Sequence, residues 1–447
     1  MKNHIRKYLE DYAERGPWKL TAKSLDGIRH AVVIPALAEY PHLLETLHSL
    51  ARNSPEELKK TLVVCVVNNR AFPHAEPDDI ANNRQTLAIL DALLKKTTIG
   101  GIDDEHNERM EDIINSSIRL AYVDASSAGL ELPEKAGVGL ARKIGMDLSL
   151  SLTAGIEEEG NILFCLDADT LVEPNYLLQV TRHFTRKQSL SAVVPFAHRK
   201  SPDGSIQDAI TIYEAYLRYY VIGLKHARSP YAFHTIGSTI VSSARGYAMV
   251  RGMPKRLAAE DFYFLNKLAK LQPVGLVEGT AVYPSPRHSS RTPFGTGKQV
   301  GQLLTKGEKE NLFYHPEIFT IIRNWLILIE QNPYQDGLEI LQQAKMIEPT
   351  LQAYLNEIGF LKAWEKLKKN FPLKSNLIRQ FHAWFDGLAT FRLVHYLTEQ
   401  RYPKVAAETA IQILQRKIGD EKAEKRPFGH ASPSDLLEQV KMMEREK

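Results

Sequence analysis

The sequence predicts an α/β protein, a mostly parallel sheet wound with helices and followed by an α-helical C-terminal region. Three observations predict it. As far as Tyr283, short apolar runs closed by polar residues alternate with segments of helical periodicity, the pattern of a mostly parallel sheet. One run, Asn161-Ile-Leu-Phe-Cys-Leu-Asp-Ala-Asp-Thr170, stops at two aspartates separated by one alanine. Beyond about residue 310 the strand-like runs vanish, and apolar residues recur only at helical intervals.

In order, residues 1–29 read as an N-terminal helical extension with a turn at Gly16-Pro17. His30-Ala-Val-Val-Ile-Pro35 is a buried strand halted by its proline. Leu43, Leu44, Leu47 and Leu50 follow at helical spacing. Leu62-Val-Val-Cys-Val-Val67 is a second strand, closed by Asn68 and Asn69. Ile80 to Leu94 reads as a helix, and a loop over Gly100 to Asn107 leads to another. Ile118 to Val123 is a third strand ending at Asp124, and Gly137 to Leu150 is a helix entered through a glycine-containing turn. The fourth strand carries the aspartates.

Ser191 to Pro195 is a further strand, and Ile206 to Leu224 a helix whose Tyr213, Tyr216, Tyr219 and Tyr220 read as packing residues. Thr235 to Pro254 reads as short strands and turns, Ala259 to Leu271 as a helix opening with Glu260-Asp261, and Leu276 to Tyr283 as one strand. A polar loop runs from Pro284 to Gln299. Phe319 to Ile329, Gly337 to Ile347, Leu351 to Leu367, Leu377 to Leu397 and Val405 to Ile418 read as helices. Leu377, Phe381, Trp384, Leu388, Phe391 and Val394 form one core-facing stripe. The expected domains are therefore 30–305 and a helical 310–420, with a charged, partly mobile tail at 421–447 and one short helix after Pro433.

Composition narrows the classes. A formal net charge of +4 with no concentrated basic stripe argues against a nucleic-acid partner. The two cysteines, Cys65 and Cys165, both lie inside apolar runs, so neither a disulfide framework nor a zinc site is expected. Met1 to Lys19 is charged and has no apolar core of a signal peptide. The apolar run Trp325-Leu-Ile-Leu-Ile329 is too short to span a bilayer. A cytoplasmic protein is expected, with a peripheral membrane contact and a homodimer through the C-terminal helices left open.

Four stretches carry candidate chemistry. Ligands of open α/β sheets bind beyond the carboxyl ends of the strands, where Asp167 and Asp169 fall. Alternate residues of an extended segment point the same way, so both carboxylates would face one cation, Mg²⁺ or Mn²⁺. A lone Asp-x-Asp is weak, since Asp is common in loops and caps. Glu260-Asp261 suits ordinary helix capping, and equally a carboxylate that takes a proton from a hydroxyl. Pro286-Arg-His-Ser-Ser-Arg-Thr-Pro-Phe-Gly-Thr-Gly-Lys298 brings Arg287 and Arg291 for phosphate, His288 as a nitrogen ligand and glycines for a mobile lid. Lys135-Ala-Gly-Val-Gly-Leu-Ala-Arg-Lys143 is neither a dinucleotide fingerprint nor a P-loop, but puts Lys135 and Arg142 near a helix start.

Taken in order, these pieces resemble the family-2 glycosyltransferases of the GT-A fold over roughly residues 30–290. The matching pieces are Val-Val-Ile-Pro35 with Glu39, the basic helix Gly137 to Gly145, and Phe164-Cys-Leu-Asp-Ala-Asp169. Gly237-Ser238, Val250-Arg-Gly252, Ala259-Glu-Asp-Phe262 and His288 follow.

The resemblance implies a Rossmann-like mixed sheet and a nucleotide-sugar donor whose diphosphate is bridged by Mg²⁺ or Mn²⁺. Asp169 would be the main metal ligand, Asp167 would sit near the ribose and the cation, and His288 would be a third ligand. Asp261 would be the general base, with Glu260 beside it. Pro35, Glu39, Asn68, Lys135, Arg142, Arg287 and Arg291 would lie on the donor side. The acceptor is a hydroxyl of a glycan, a lipid-linked sugar or a small molecule. Asn68-Asn69 stand where the family often carries an acid that reads uracil, so the base stays open. The Gln-x-x-Arg-Trp motif of processive synthases is absent, which favours single transfer, and one base on the acceptor side fits inversion. A retaining transferase with the same metal residues and a catalytically silent sugar-nucleotide binder are the alternatives.

Overall fold

Unbroken runs of Val, Ile and Leu build the centre of the sheet, because a strand covered on both faces needs no polar face. The computed structural model describes residues 3–70, 73–101, 103–153, 160–287, 311–419 and 431–445.

The first elements are α1 (Asn3–Asp11), β1 (Thr21–Ala22), β2 (His30–Ala36), α2 (His42–Ala51), α3 (Pro55–Lys60) and β3 (Thr61–Asn68). Next come α4 (Pro77–Lys95), α5 (Asp104–Asn115), β4 (Arg119–Ala125), α6 (Val138–Thr153) and β5 (Ile162–Cys165). Then follow β6 (Leu171–Val172), α7 (Tyr176–Lys187), β7 (Ser191–Val193), α8 (Gly204–His226), β8 (Ile240–Ser243), α9 (Ala244–Met249), α10 (Glu260–Ala269), β9 (Gly275–Leu276) and β10 (Val282–Tyr283).

Among the described residues the main sheet has eight strands in the order β1-β4-β3-β2-β5-β8-β7-β9. The pairs β4–β3, β3–β2 and β2–β5 are parallel, β8 runs antiparallel to β5 and β7, and β1 is antiparallel to β4. The expected class, a Rossmann-like mixed α/β sheet followed by an α-helical region, is what the chain adopts. From β2 the chain moves outward through β3 and β4, then returns to place β5 on the other side of β2. That reversal is a topological switch point, and ligands of such sheets bind beyond the strand ends there, which here belong to β2 and β5. Helix α6 closes on the sheet through Gly145, where an added Cβ would lie 2.5 Å from Val33 Cγ1 and 2.9 Å from Val66 Cγ2.

Several expectations need correction. Pro35 does not halt its strand. β2 continues to Ala36, because its pairing with β5 has ended by Val33 and the missing N–H costs no ladder bond on that side. Leu276 to Tyr283 is not one strand; β9 joins the main sheet and β10 pairs with β6, with Gly279 at φ +74 between them. Thr235 to Pro254 holds the helix α9, capped by Ser243 Oγ, which accepts from Gly246 N–H at 3.0 Å. Helix α5 starts inside the expected Gly100–Asn107 loop because Asp103 caps it, accepting from His106 N–H at 2.9 Å.

Two compact units are present. Met1–Arg199 and Thr235–Ser285 supply the first, while Lys200–His234, with α8, groups with the C-terminal helices. The second unit adds β11 (Leu312–Phe313), α11 (Glu317–Gln331), α12 (Gly337–Ile347), α13 (Pro349–Glu357), α14 (Phe360–Asn370), α15 (Lys374–Trp384) and α16 (Gly387–Gln400). It ends with β12 (Val405–Ala406), α17 (Ala407–Ile418) and α18 (Pro433–Arg445). Of the expected tail, residues 431–445 are described. The core packs Trp325 against Phe360 and Phe381 at ring-centroid distances of 5.3 and 5.7 Å. Tyr219 is buried in this core and donates to the Tyr314 carbonyl at 2.6 Å, as its packing role requires.

The expected helices Leu351–Leu367 and Leu377–Leu397 are each two. Gly359 takes φ +75 between α13 and α14. Asp386 caps α16, accepting from Leu388 and Ala389 N–H at 3.0 and 3.1 Å. The stripe is therefore shared by α15 and α16, and Phe391 faces solvent rather than core.

Candidate active site

Between Asn161 and Thr170 only Asp167 and Asp169 reach solvent; the other eight residues are buried. The expected geometry needs one correction. β5 ends at Cys165, so the aspartates stand in a turn, closed by Thr170 N–H on the Asp167 carbonyl at 3.2 Å, and not in an extended segment. The strand cannot extend further because its partner β2 stops pairing with it at Val33. The turn is pinned by α2. Thr46 Oγ1 donates to the Ala168 carbonyl at 2.9 Å, and Ser49 Oγ accepts from Val172 N–H at 3.2 Å.

Helix α6 delivers Arg142, 3% exposed, to this turn. Its Nη2 donates to Asp167 Oδ1, and its Nε to Glu260 Oε1 at 3.1 Å. Its Nη1 is buried without a hydrogen-bond partner among the described residues. The other Asp167 oxygen accepts from Ser238 Oγ, which lies 3.0 Å from Thr170 Oγ1. Gly237 makes the approach possible: a Cβ there would lie 2.4 Å from Arg142 Nη2. One guanidinium thus joins the aspartate turn to the start of α10, where Glu260 is buried and Asp261 is partly exposed.

The electrostatics follow from one cation serving three neighbouring carboxylates. Burial works against the Arg142 charge, but Asp167 and Glu260 more than restore it, and the guanidinium stays protonated. Burial pushes the Glu260 carboxyl up although Arg142 pulls it down. Burial and then the Glu260 charge push Asp261 up to about 7. The residue that precedes them, Ala259, is held at φ +60, and Ala38 in the loop after β2 at φ +51. L-residues rarely adopt this region, and such strain gathers at functional sites.

The remaining candidates fall as follows. Pro35 is buried inside β2, and Glu39 is partly exposed in the loop after it. Asn68 is buried at the end of β3, its carbonyl accepting from Asn83 Nδ2 at 3.1 Å. Lys135 is exposed in the turn before α6. Arg287 is partly exposed and groups with the second unit. His288 and Arg291 lie outside the described residues. The structure therefore brings Asp167, Arg142 and Glu260 into contact and sets Asp261 beside them.

Sequence reading missed several supports. Asn83 ties the loops after β2 and β3 together, accepting from Ala38 N–H at 2.9 Å and donating to Asn69 Oδ1 at 2.6 Å. Asn82 makes two bonds with the Tyr40 backbone, at 3.0 and 2.9 Å. Arg199 pairs with Glu45 at 2.8 Å and reaches the Asp169 carbonyl at 3.4 Å. Adjacent asparagines inside a helix were the available signal for the first two; nothing in the sequence marks Thr46 or Arg199.

No family model matches the chain, and no curated protein sequence matches it. Among solved structures it is similar to residues 1–349 of TarS from S. aureus in complex with UDP-GlcNAc, at 13% identity and a TM-score of 0.37. That match covers 83% of this chain and 92% of that one. It is also similar to the mannosyltransferase PcManGT from Pyrobaculum calidifontis in complex with GDP-Man and Mn²⁺, at 13% identity and a TM-score of 0.35, over 89% and 91% of the two chains. Likenesses at this level say nothing of what this chain binds.

Proposed function

We propose that the chain is a metal-dependent, GT-A-like glycosyltransferase that moves a sugar from a nucleotide-sugar donor to a hydroxyl acceptor, with inversion and one transfer per encounter. In this reading residues 30–305 form the catalytic domain and 310–420 a helical domain. One observation carries it: Arg142 joins the Asp167-Ala-Asp169 turn to Glu260-Asp261 at the switch point of the sheet. A metal-side acid and a base-side acid then belong to one charged cluster.

Asp169 and Asp167, with His288, are the residues assigned to the cation. An oxygen-rich set completed by donor phosphates suits Mg²⁺ or Mn²⁺. A cation held there would supply charge neutralisation for the leaving nucleoside diphosphate. Asp167, with its oxygens engaged by Arg142 and Ser238, is the fixed member and is assigned to the ribose side. Pro35, Glu39, Asn68, Lys135, Arg142, Arg287 and Arg291 are assigned to the donor.

Asp261 takes the proton of the acceptor hydroxyl. The acceptor oxygen bonds to the anomeric carbon while the bond from that carbon to the diphosphate oxygen breaks. A carboxyl held at about 7 suits a base working near neutrality. The test is a thermal-shift and donor-hydrolysis screen of nucleotide sugars with Mn²⁺, Mg²⁺ or chelator. At least one donor should raise the melting temperature only with metal. Asp261→Asn should bind that donor and lose transfer by about 10³-fold or more. A protein stabilised by no donor in any metal would end this reading.

A further inference from the structure

The helical unit carries a surface unrelated to the cluster above. Between residues 362 and 374 lie five lysines, Lys362, Lys366, Lys368, Lys369 and Lys374, against one acid, Glu365. On α14 the exposed Lys362, Lys366 and Lys369 recur at intervals of four and three, so they share one face. Phe360 and Trp364 bury the opposite face. Leu373, just past this helix, is 64% exposed.

Two further apolar side chains come from the turn that packs against the same helix. The Gln335 carbonyl accepts from Trp364 Nε1 at 3.1 Å and from Lys368 Nζ at 3.2 Å. A Cβ on Gly337 would touch Leu361 and Trp364. This turn presents Tyr334, 64% exposed, and Leu338, 60% exposed. It follows directly on Glu330 and Gln331, which line one open groove with Leu373 and Lys374. Tyr334 and Leu338 are thus exposed on the turn that bonds Trp364 and Lys368, together with the acids Asp336 and Glu339, and Leu373 is exposed just after the lysine helix. Single exposed apolar residues are ordinary, but a group of three large ones marks a docking surface.

We propose that this end of the helical unit docks on an anionic lipid surface. Tyr334, Leu338 and Leu373 enter the headgroup boundary, and the lysines meet lipid phosphates. Charge chooses this occupant. A second copy of the chain would bring lysines against lysines, whereas an anionic leaflet offers the complementary field together with an apolar layer beneath it. The proposal does not depend on the transferase reading and is tested without any donor.

The full chain is sedimented with vesicles of phosphatidylcholine alone and with vesicles holding about 30% phosphatidylglycerol. It should partition onto the anionic vesicles only, and lose that binding in high salt. At about fivefold per lysine, Lys366→Gln, Lys369→Gln and Lys374→Gln together should weaken binding on the order of 100-fold. Tyr334→Ser with Leu373→Ser should weaken it about tenfold while leaving the salt dependence in place. These side chains are exposed, so the variants should keep the wild-type unfolding midpoint; for any that does not, the salt series on the wild type decides. Equal binding to both vesicles, binding to neither, or undiminished binding by the lysine variant overturns the proposal. So does capture by heparin in solution without vesicle binding, which would assign the patch to a soluble polyanion.

Discussion

Arg142 is the residue on which the cluster depends. Its guanidinium is buried between Asp167 and Glu260, and removing one partner of a buried ion pair leaves the others uncompensated. Arg142→Met should cost about 3–5 kcal/mol in urea unfolding. A loss below about 1 kcal/mol would mean that the two carboxylates are adequately solvated without it. Asp261 makes a separate, pH-dependent statement. Its carboxyl rises from an ordinary 3.8 to about 7, so the fold favours the neutral form. That contribution is fully present below the unfolded value and is lost as pH rises through about 7. Asp261→Asn should therefore gain stability over the wild type between pH 4 and pH 8, by on the order of 1–3 kcal/mol. With Asp261 as the proposed base, transfer by the wild type should rise with pH across the same range, because a base acts deprotonated. At this scale the acids were legible, because acidic residues after an apolar run and at a helix start stand out. The partner of Arg142 was not, because a basic residue on a helix reads as solvated until the fold brings Asp167 and Glu260 to it.

Elements hold these residues through close approaches that only glycine allows. A Cβ on Gly237 would fall 2.4 Å from Arg142 Nη2, so Gly237→Ala should push the guanidinium off Asp167. The expected result is a loss of about 1–3 kcal/mol and of donor binding together. Retained donor affinity in a destabilised protein would separate the cluster from donor recognition. The apolar runs showed where β2, β3 and β5 lie, since a doubly covered strand must be apolar throughout. They could not show where each strand ends. The end of β5 depends on β2 ceasing to pair at Val33, and so did the turn that carries the aspartates. Helical periodicity likewise ran through Gly359 and Asp386, although a left-handed glycine and an aspartate cap interrupt the chain there.

Across the whole molecule, the candidate site rests on the reversal of strand order at β2 and β5. That reversal places the ends of two neighbouring parallel strands beside helix α6 and the start of α10. The alternation of strands and helices foretold a mostly parallel sheet but not the order of its strands, and the grouping of α8 with the C-terminal helices could not be foreseen either, because its periodicity carries no address. The central claim is that Asp169 serves a cation needed by the donor. The direct measurement is isothermal titration of the stabilising nucleotide sugar into wild type and Asp169→Asn, each with Mn²⁺ and with chelator. The account predicts that chelator weakens wild-type binding by about tenfold or more, and that the variant binds weakly and equally in both conditions. Metal-dependent binding of undiminished strength in Asp169→Asn would contradict it.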